Sequence, residues 1–215
     1  RVRYHLPEGC ELRSSDGRSW RIAAGSNTRN PLVDILDELK LIGSRSDTKF
    51  IPKQYLEGSI AQRWELLRGL MDTDGTVNKD GNQPSFCSTS YSLALSVQEL
   101  VRSLGGIAKL SERNPRYTYK GECFNGKTAF NVFIRMKKPS MLFHLNRKKQ
   151  LTKDDGQYNN ILKLRVKSIV PVENGEATCI SVDNQDKLFV IDQWIVTHNT
   201  VAFCKIAKVL GERTM

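Results

Sequence analysis

Near its end the chain reads Val196-Thr197-His198-Asn199-Thr200, a run whose residue types can break a peptide bond. The side-chain amide of an asparagine can attack its own carbonyl, closing a succinimide and releasing the residue that follows. Here the bond so placed is Asn199–Thr200. His198 can assist by polarising that carbonyl or protonating the leaving amine. The Thr200 hydroxyl is a nucleophile able to receive an acyl group. A second group is Asp72-Thr73-Asp74-Gly75, at the end of an apolar stretch. Asp74 is expected at a helix end beside flexible Gly75. Two such helices packed together would set two carboxylates side by side, hard oxygen donors suited to Mg2+ over a phosphodiester. Each run is short: His-Asn alone is more often a loop, and Asp-x-Asp-Gly alone a turn.

The elements that would position these groups follow from periodicity. Arg1–Leu6 and Trp20–Ala23 read as strands around a polar turn, Ser-Ser-Asp-Gly. Asn30-Pro31 opens a helix with Leu32, Ile35, Leu36 and Leu39 at helical spacing and Gly43 as its stop. Ser59 precedes a helix over Ile60–Met71 that ends at the acidic run. Phe86–Ser88 reads as a strand and Tyr91–Leu104 as a helix stopped by Gly105-Gly106. Ile107–Arg113 and Ala129–Arg135 read as strands on either side of a polar loop. Residues 137–167, rich in Lys and Arg, are a linker or a DNA-facing edge. Beyond them come short strands: Leu164–Val172, Thr178–Val182, Leu188–Ile191 and Trp194–Val196. After Thr200 the texture changes abruptly to an apolar helix, Val201–Leu210.

Leu67-Arg68-Gly69-Leu70-Met71-Asp72-Thr73-Asp74-Gly75 resembles the LAGLIDADG motif of homing endonucleases, differing by Arg for Ala, Met for Ile and Thr for Ala. Gly69 would let a partner helix approach closely, with Leu66, Leu70 and Met71 as the apolar contact. Lys49-Phe50-Ile51-Pro52 is similar to the Lys-x-Ile-Pro element that precedes the second such helix in intein endonucleases. Phe86 through Ser90, with Leu93, Val97, Leu100, Leu104 and Gly105, matches the strand and helix that follow it. The resemblance implies that Asp74 binds the metal, that Lys49 supports cleavage near the active site, and that Asp72 is structural. It also implies a further lysine, for which Lys137 and Lys138 are candidates. By this order the first acidic helix lies before Arg1.

Thr197-His198-Asn199-Thr200, preceded by Cys179-Ile180-Ser181-Val182-Asp183 and Leu188-Phe189-Val190, resembles an intein's C-terminal junction. The resemblance implies that Thr200 receives the upstream host segment by transesterification and that Asn199 cyclises. Two departures stand out. Lys187 occupies a position that is His in many inteins. Cys179 occupies one that is often Asp; such a Cys forms a branched intermediate in one intein class, and a buried structural Cys is an equal reading. Thr200–Leu210 resembles the apolar helix after a Walker A loop, with the flavour of DEAD/DEAH-type helicases.

Composition agrees. The formal charge is +10 and the pI about 9.5, a surplus that favours a polyanion such as nucleic acid. The five cysteines (Cys10, Cys87, Cys123, Cys179, Cys204) are odd in number and form no C-x-x-C pair, so neither a zinc site nor a disulfide framework is expected. No apolar run approaches a membrane span, no signal core opens the chain, and a cytoplasmic location is expected. The expected fold class is α+β: an αββαββα-type LAGLIDADG domain followed by the last strands of an all-β Hint splicing domain. The expected divisions are 1–52, the tail of a first LAGLIDADG subdomain; 53–150, the second; 151–199, the splicing segment; and 200–215, the start of the host C-extein. The expected function joins Mg2+-dependent cleavage of a double-stranded DNA site with protein splicing. Partners are the DNA, the upstream intein half and the host exteins. The alternatives are a DNA-binding intein module without cleavage, and an ATP-dependent helicase carrying the intein in its P-loop.

Overall fold

The computed structural model describes residues 2–25, 28–79, 83–154, 162, 167–168, 170–171, 180 and 182–198. Its centre is an antiparallel sheet covered on one face by two helices, an α+β arrangement. The chain enters through a 3-10 turn, Val2–His5, and a hairpin of β1 (Cys10–Arg13) with β2 (Arg21–Ala24). The strand expected over Arg1–Leu6 is therefore displaced. The Asp16 carboxylate accepts from the backbone N–H of Arg18 and Ser19, which fixes the turn and makes 10–13 the partner of 21–24. These same bonds hold the Asp16 pKa below the usual carboxylate range. Among the described residues Val2–His5 pairs with no strand.

Helix α1 (Pro31–Glu38) starts where Asn30 accepts from Leu32 N–H and Pro31 fills the first helical position. Its stop is Lys40, in the left-handed region at φ 56°, and not Gly43. Leu41 N–H returns to Leu36 O at 2.8 Å and Lys40 N–H to Asp37 O, a Schellman-type closure. Gly43, at φ 79°, serves the next turn.

After the short α2 (Lys53–Leu56), Ser59 and Gln62 form a capping box that opens α3 (Ile60–Asp74). The helix runs three residues past Met71, so the acidic run is its last turn rather than a loop. Gly75 begins β3 (Gly75–Val77), which pairs with β4 (Pro84–Ser88). Helix α4 (Tyr91–Ser103), capped by Ser90 and ended by Gly105 at φ 81°, leads to β5 (Ile107–Arg113). The polar loop expected next is itself a hairpin, β6 (Arg116–Tyr119) with β7 (Glu122–Asn125), before β8 (Ala129–Arg135). The central order is β3-β4-β8-β5.

The register explains the layering. Phe86, Val132 and Leu110 lie abreast, as do Ala108 and Ile134, and this face turns to the helices. Phe86, Val132 and Ile134 are completely buried with Leu67 and Met71 of α3 and Val97, Leu100 and Val101 of α4. Ile51 belongs to the same core, so the Lys-x-Ile-Pro segment docks there through its isoleucine. Residues 139–154 are no linker. Leu142 and Phe143 are buried against α3, and α5 (Asn146–Lys149) follows them. At the end of the described chain β9 (Leu188–Ile191) pairs with β10 (Ile195–His198) in a sheet of its own.

Candidate active site and nucleic-acid interface

Helix α3 carries two stripes. Trp64, Leu67 and Met71 face the core, the last two fully buried. Leu66, Gly69, Leu70 and Thr73 recur at i, i+3, i+4 and i+7 and form a second, more open stripe. A Cβ placed on Gly69 would meet nothing within 4 Å. Thr73 folds its hydroxyl back onto Gly69 O and Leu70 O, so it presents a methyl to that face. The stripe is shaped for close approach of a second helix.

The two acids at its end have different environments. The Asp72 carboxylate accepts from His144 N–H at 3.0 and 3.1 Å and from Leu145 N–H at 3.2 Å, tying the 139–149 segment to α3. Asp74 is exposed and makes no hydrogen bond or ion pair among the described residues. One carboxylate is spoken for, the other presented to solvent. Asp72→Ala removes the acceptor of two backbone donors and is expected to lower stability by about 1–3 kcal/mol in urea unfolding.

Gly75 sets the direction in which the chain leaves this site. A Cβ there would lie 2.5 Å from Met71 O and 2.7 Å from Met71 Cα, both backbone atoms that cannot step aside. Gly75→Ala is expected to shift the α3–β3 corner, lowering the urea midpoint by an amount equivalent to about 1–3 kcal/mol.

Lys148, which sequence reading left inside the basic stretch, closes the corner. Its ammonium donates to Met71 O at 2.8 Å, Asp72 O at 2.8 Å and Gly75 O at 2.6 Å, three carbonyls that gather where α3 ends and β3 begins. Burial, then the neighbouring Arg147 charge, pull its pKa below the usual lysine value, while Asp72 and Asp74 pull it back up. Only its place in a basic run hinted at this; the three carbonyls it meets lie more than seventy positions away. Lys137 and Lys138 are exposed beyond β8. Lys49 is exposed too, its carbonyl receiving the Ser90 hydroxyl at 2.5 Å. Among the described residues it makes no bond to Asp74.

Asp74 offers Mg2+ unpaired oxygens, but it is one carboxylate, and the described residues hold no group of three or more His, Cys, Asp or Glu side chains. By themselves they do not compose a metal site.

The uncovered sheet face is polar. Thr76, Ser85, Cys87, Lys109, Ser111, Asn131, Phe133 and Arg135 alternate with the core positions and share that side. Thr76 and Ser85 hydroxyls meet at 3.0 Å. Hydroxyls, an amide and cations on an antiparallel surface suit base edges and phosphates.

At the other end of the chain, His198 ends β10 opposite Leu188, and Thr197 stands opposite Phe189. Lys187, at φ 54°, gives its ammonium to Val182 O at 3.2 Å. Cys179, Asn199 and Thr200 lie outside the described residues, as do the strands expected over 164–182 in their greater part and the helix expected over 201–210.

Comparison with known proteins locates a LAGLIDADG-like domain at residues 61–136, from the start of α3 to the end of β8. The chain is 35% identical over 156 residues to the replicative DNA helicase DnaB of Mycobacterium intracellulare, covering 71% of this chain and 26% of that protein. It is 32% identical over 120 residues to DnaB of Nostoc sp. (51% and 13%), and 35% identical over 91 residues to DnaB of Synechocystis sp. (40% and 10%). The chain thus spans about a quarter or less of the length of these relatives. No helix among the described residues is long and apolar enough to cross a membrane.

Proposed function

We propose that this chain is part of an intein with a LAGLIDADG homing endonuclease, lodged in a replicative helicase. One observation carries the reading: an endonuclease-type domain at 61–136 aligns with proteins named as DNA helicases, as an insertion into a helicase host would give. The host is then of the DnaB kind named by the relatives, rather than the DEAD/DEAH kind that residues 200–215 resemble. Asp74 and an equivalent acid on a second helix, packed against the Leu66–Gly69–Leu70–Thr73 stripe, would hold the divalent ion, Mg2+. When bound there, the ion supplies charge stabilisation at the scissile phosphate. Lys49 supports cleavage, Lys148 fixes the corner that aims Asp74, and the polar sheet face tracks double-stranded DNA. The segment to Asn199 completes a Hint splicing domain, and residues 200–215 begin the host. Both activities act in the cytoplasm.

The full-length protein expressed in bacteria should yield a ligated host lacking the segment that ends at Asn199, detected by mass spectrometry across the new junction. A mature protein that retains Val196-Thr197-His198-Asn199 in place would refute splicing. The second reading, a DNA-binding intein module without cleavage, is favoured by there being one uncommitted carboxylate, Asp74, at the end of α3 among the described residues; specific binding without cut product would select it.

A further inference from the structure

The β9–β10 hairpin does not stand clear of the endonuclease-type domain. Its turn, Asp192–Trp194, places two successive side-chain-bearing residues in the left-handed region, Gln193 at φ 58° and Trp194 at φ 62°. Such primed turns favour Asn-Gly, because a Cβ is strained there. Gln-Trp is a poor choice on local grounds, so something outside the turn must hold it. That something is a pair of arginines. Arg102, near the end of α4, donates from Nη1 to Gln193 Oε1 at 3.0 Å and from Nη2 to Ala108 O at 3.3 Å. Arg63, in the first turns of α3, sets its guanidinium 5.4 Å from the centre of the Trp194 ring.

Arg63 is itself fixed, donating to Gly58 O at 3.0 Å and Ser103 O at 3.4 Å. Around the turn the two bodies are not sealed together. An open cleft of about 760 Å3 remains between Gln98, Ile107 and Lys109 on one side and Ile195 and Val196 on the other. Among the described residues, attachment is thus concentrated at the turn. From it β10 carries Val196, Thr197 and His198, and Asn199 is the next residue in the sequence.

We propose that Arg63 and Arg102 are positioning residues for the break at Asn199–Thr200: the endonuclease-type domain grips the Gln193–Trp194 turn and so sets the orientation of the strand that delivers His198 and Asn199. The proposal rests on the junction reading above. It gives α3 two tasks at opposite ends, Arg63 toward the splice junction and Asp74 toward DNA. Amide attack on a neighbouring carbonyl depends steeply on alignment, and loss of orientation can cost up to about a hundredfold in rate.

The test follows, in the full-length protein, release of the peptide beginning Thr200-Val201-Ala202 by mass spectrometry. Arg102→Met and Arg63→Met should each slow release by about ten- to a hundredfold. Gln193→Ala and Trp194→Ala, which act from the hairpin and leave the α3–α4 core intact, should slow it likewise and decide the matter if an arginine variant fails to fold. Arg102→Glu should also slow release, and adding Gln193→Arg should recover most of the rate by re-forming the contact with donor and acceptor exchanged. Release at the parent rate in the hairpin variants, or no recovery in the exchanged pair, overturns the positioning role. The junction reading fails separately, if Asn199→Ala still releases the same peptide at the parent rate.

Discussion

Replacing Asn199 by alanine is expected to stop C-terminal release altogether, because under the proposed junction chemistry it removes the amide that attacks the carbonyl. His198→Ala behaves differently. It removes assistance to the leaving amine and not the reacting group, so release should slow by about 10²–10⁴-fold and remain measurable. The difference between a stop and a slowing is the diagnostic. Thr200→Ala should spare release but abolish ligation, since the hydroxyl proposed to accept the upstream segment would be gone. The three variants are compared by timed mass spectrometry of full-length protein. Equal slowing by all three would mean that the substitutions disturb β10 as a whole, and the assignment of roles would fall.

Asp74→Asn should reduce DNA cleavage by several orders of magnitude while leaving DNA affinity close to the parent value. The two acids at the end of α3 differ in what holds them. Asp72 spends its oxygens on His144 and Leu145 N–H groups, whereas the Asp74 carboxylate is exposed and unbonded among the described residues. Asn keeps the size of the side chain and removes the charge that a divalent ion needs. Affinity is expected to come from elsewhere, chiefly from cations reaching phosphates, and should fall steeply with salt concentration. Cleavage is read on a supercoiled plasmid carrying the uninterrupted host sequence, and binding by fluorescence anisotropy across a salt series. Undiminished cutting by Asp74→Asn would remove this acid from the chemistry. An affinity indifferent to salt would remove DNA as the partner.

The sequence by itself determined much of the frame, and the reason is local. Asn30-Pro31, the Ser59–Gln62 box and Ser90 start helices through bonds to residues two or three positions away. Apolar spacing along Tyr91–Ser103 marks a buried face wherever the partner lies. The acidic run stood out in sequence because its residue types are those that divalent-metal chemistry on a phosphodiester requires. The tertiary structure decided what depends on distant partners. The helix continues to Asp74 because Lys148, seventy-seven positions beyond Met71, takes up its last carbonyls. Residues 139–154 pack rather than link because Leu142 and Phe143 meet α3. Asp72 and Asp74, alike in sequence, part company only when the His144 backbone arrives at one of them. The turn at Gln193–Trp194, poor by local preference, stands because Arg63 and Arg102 converge on it from two helices. Local steric and hydrogen-bonding rules reach about one helical turn along the chain; the surroundings of each acid, cation and turn were set by contacts far outside that range.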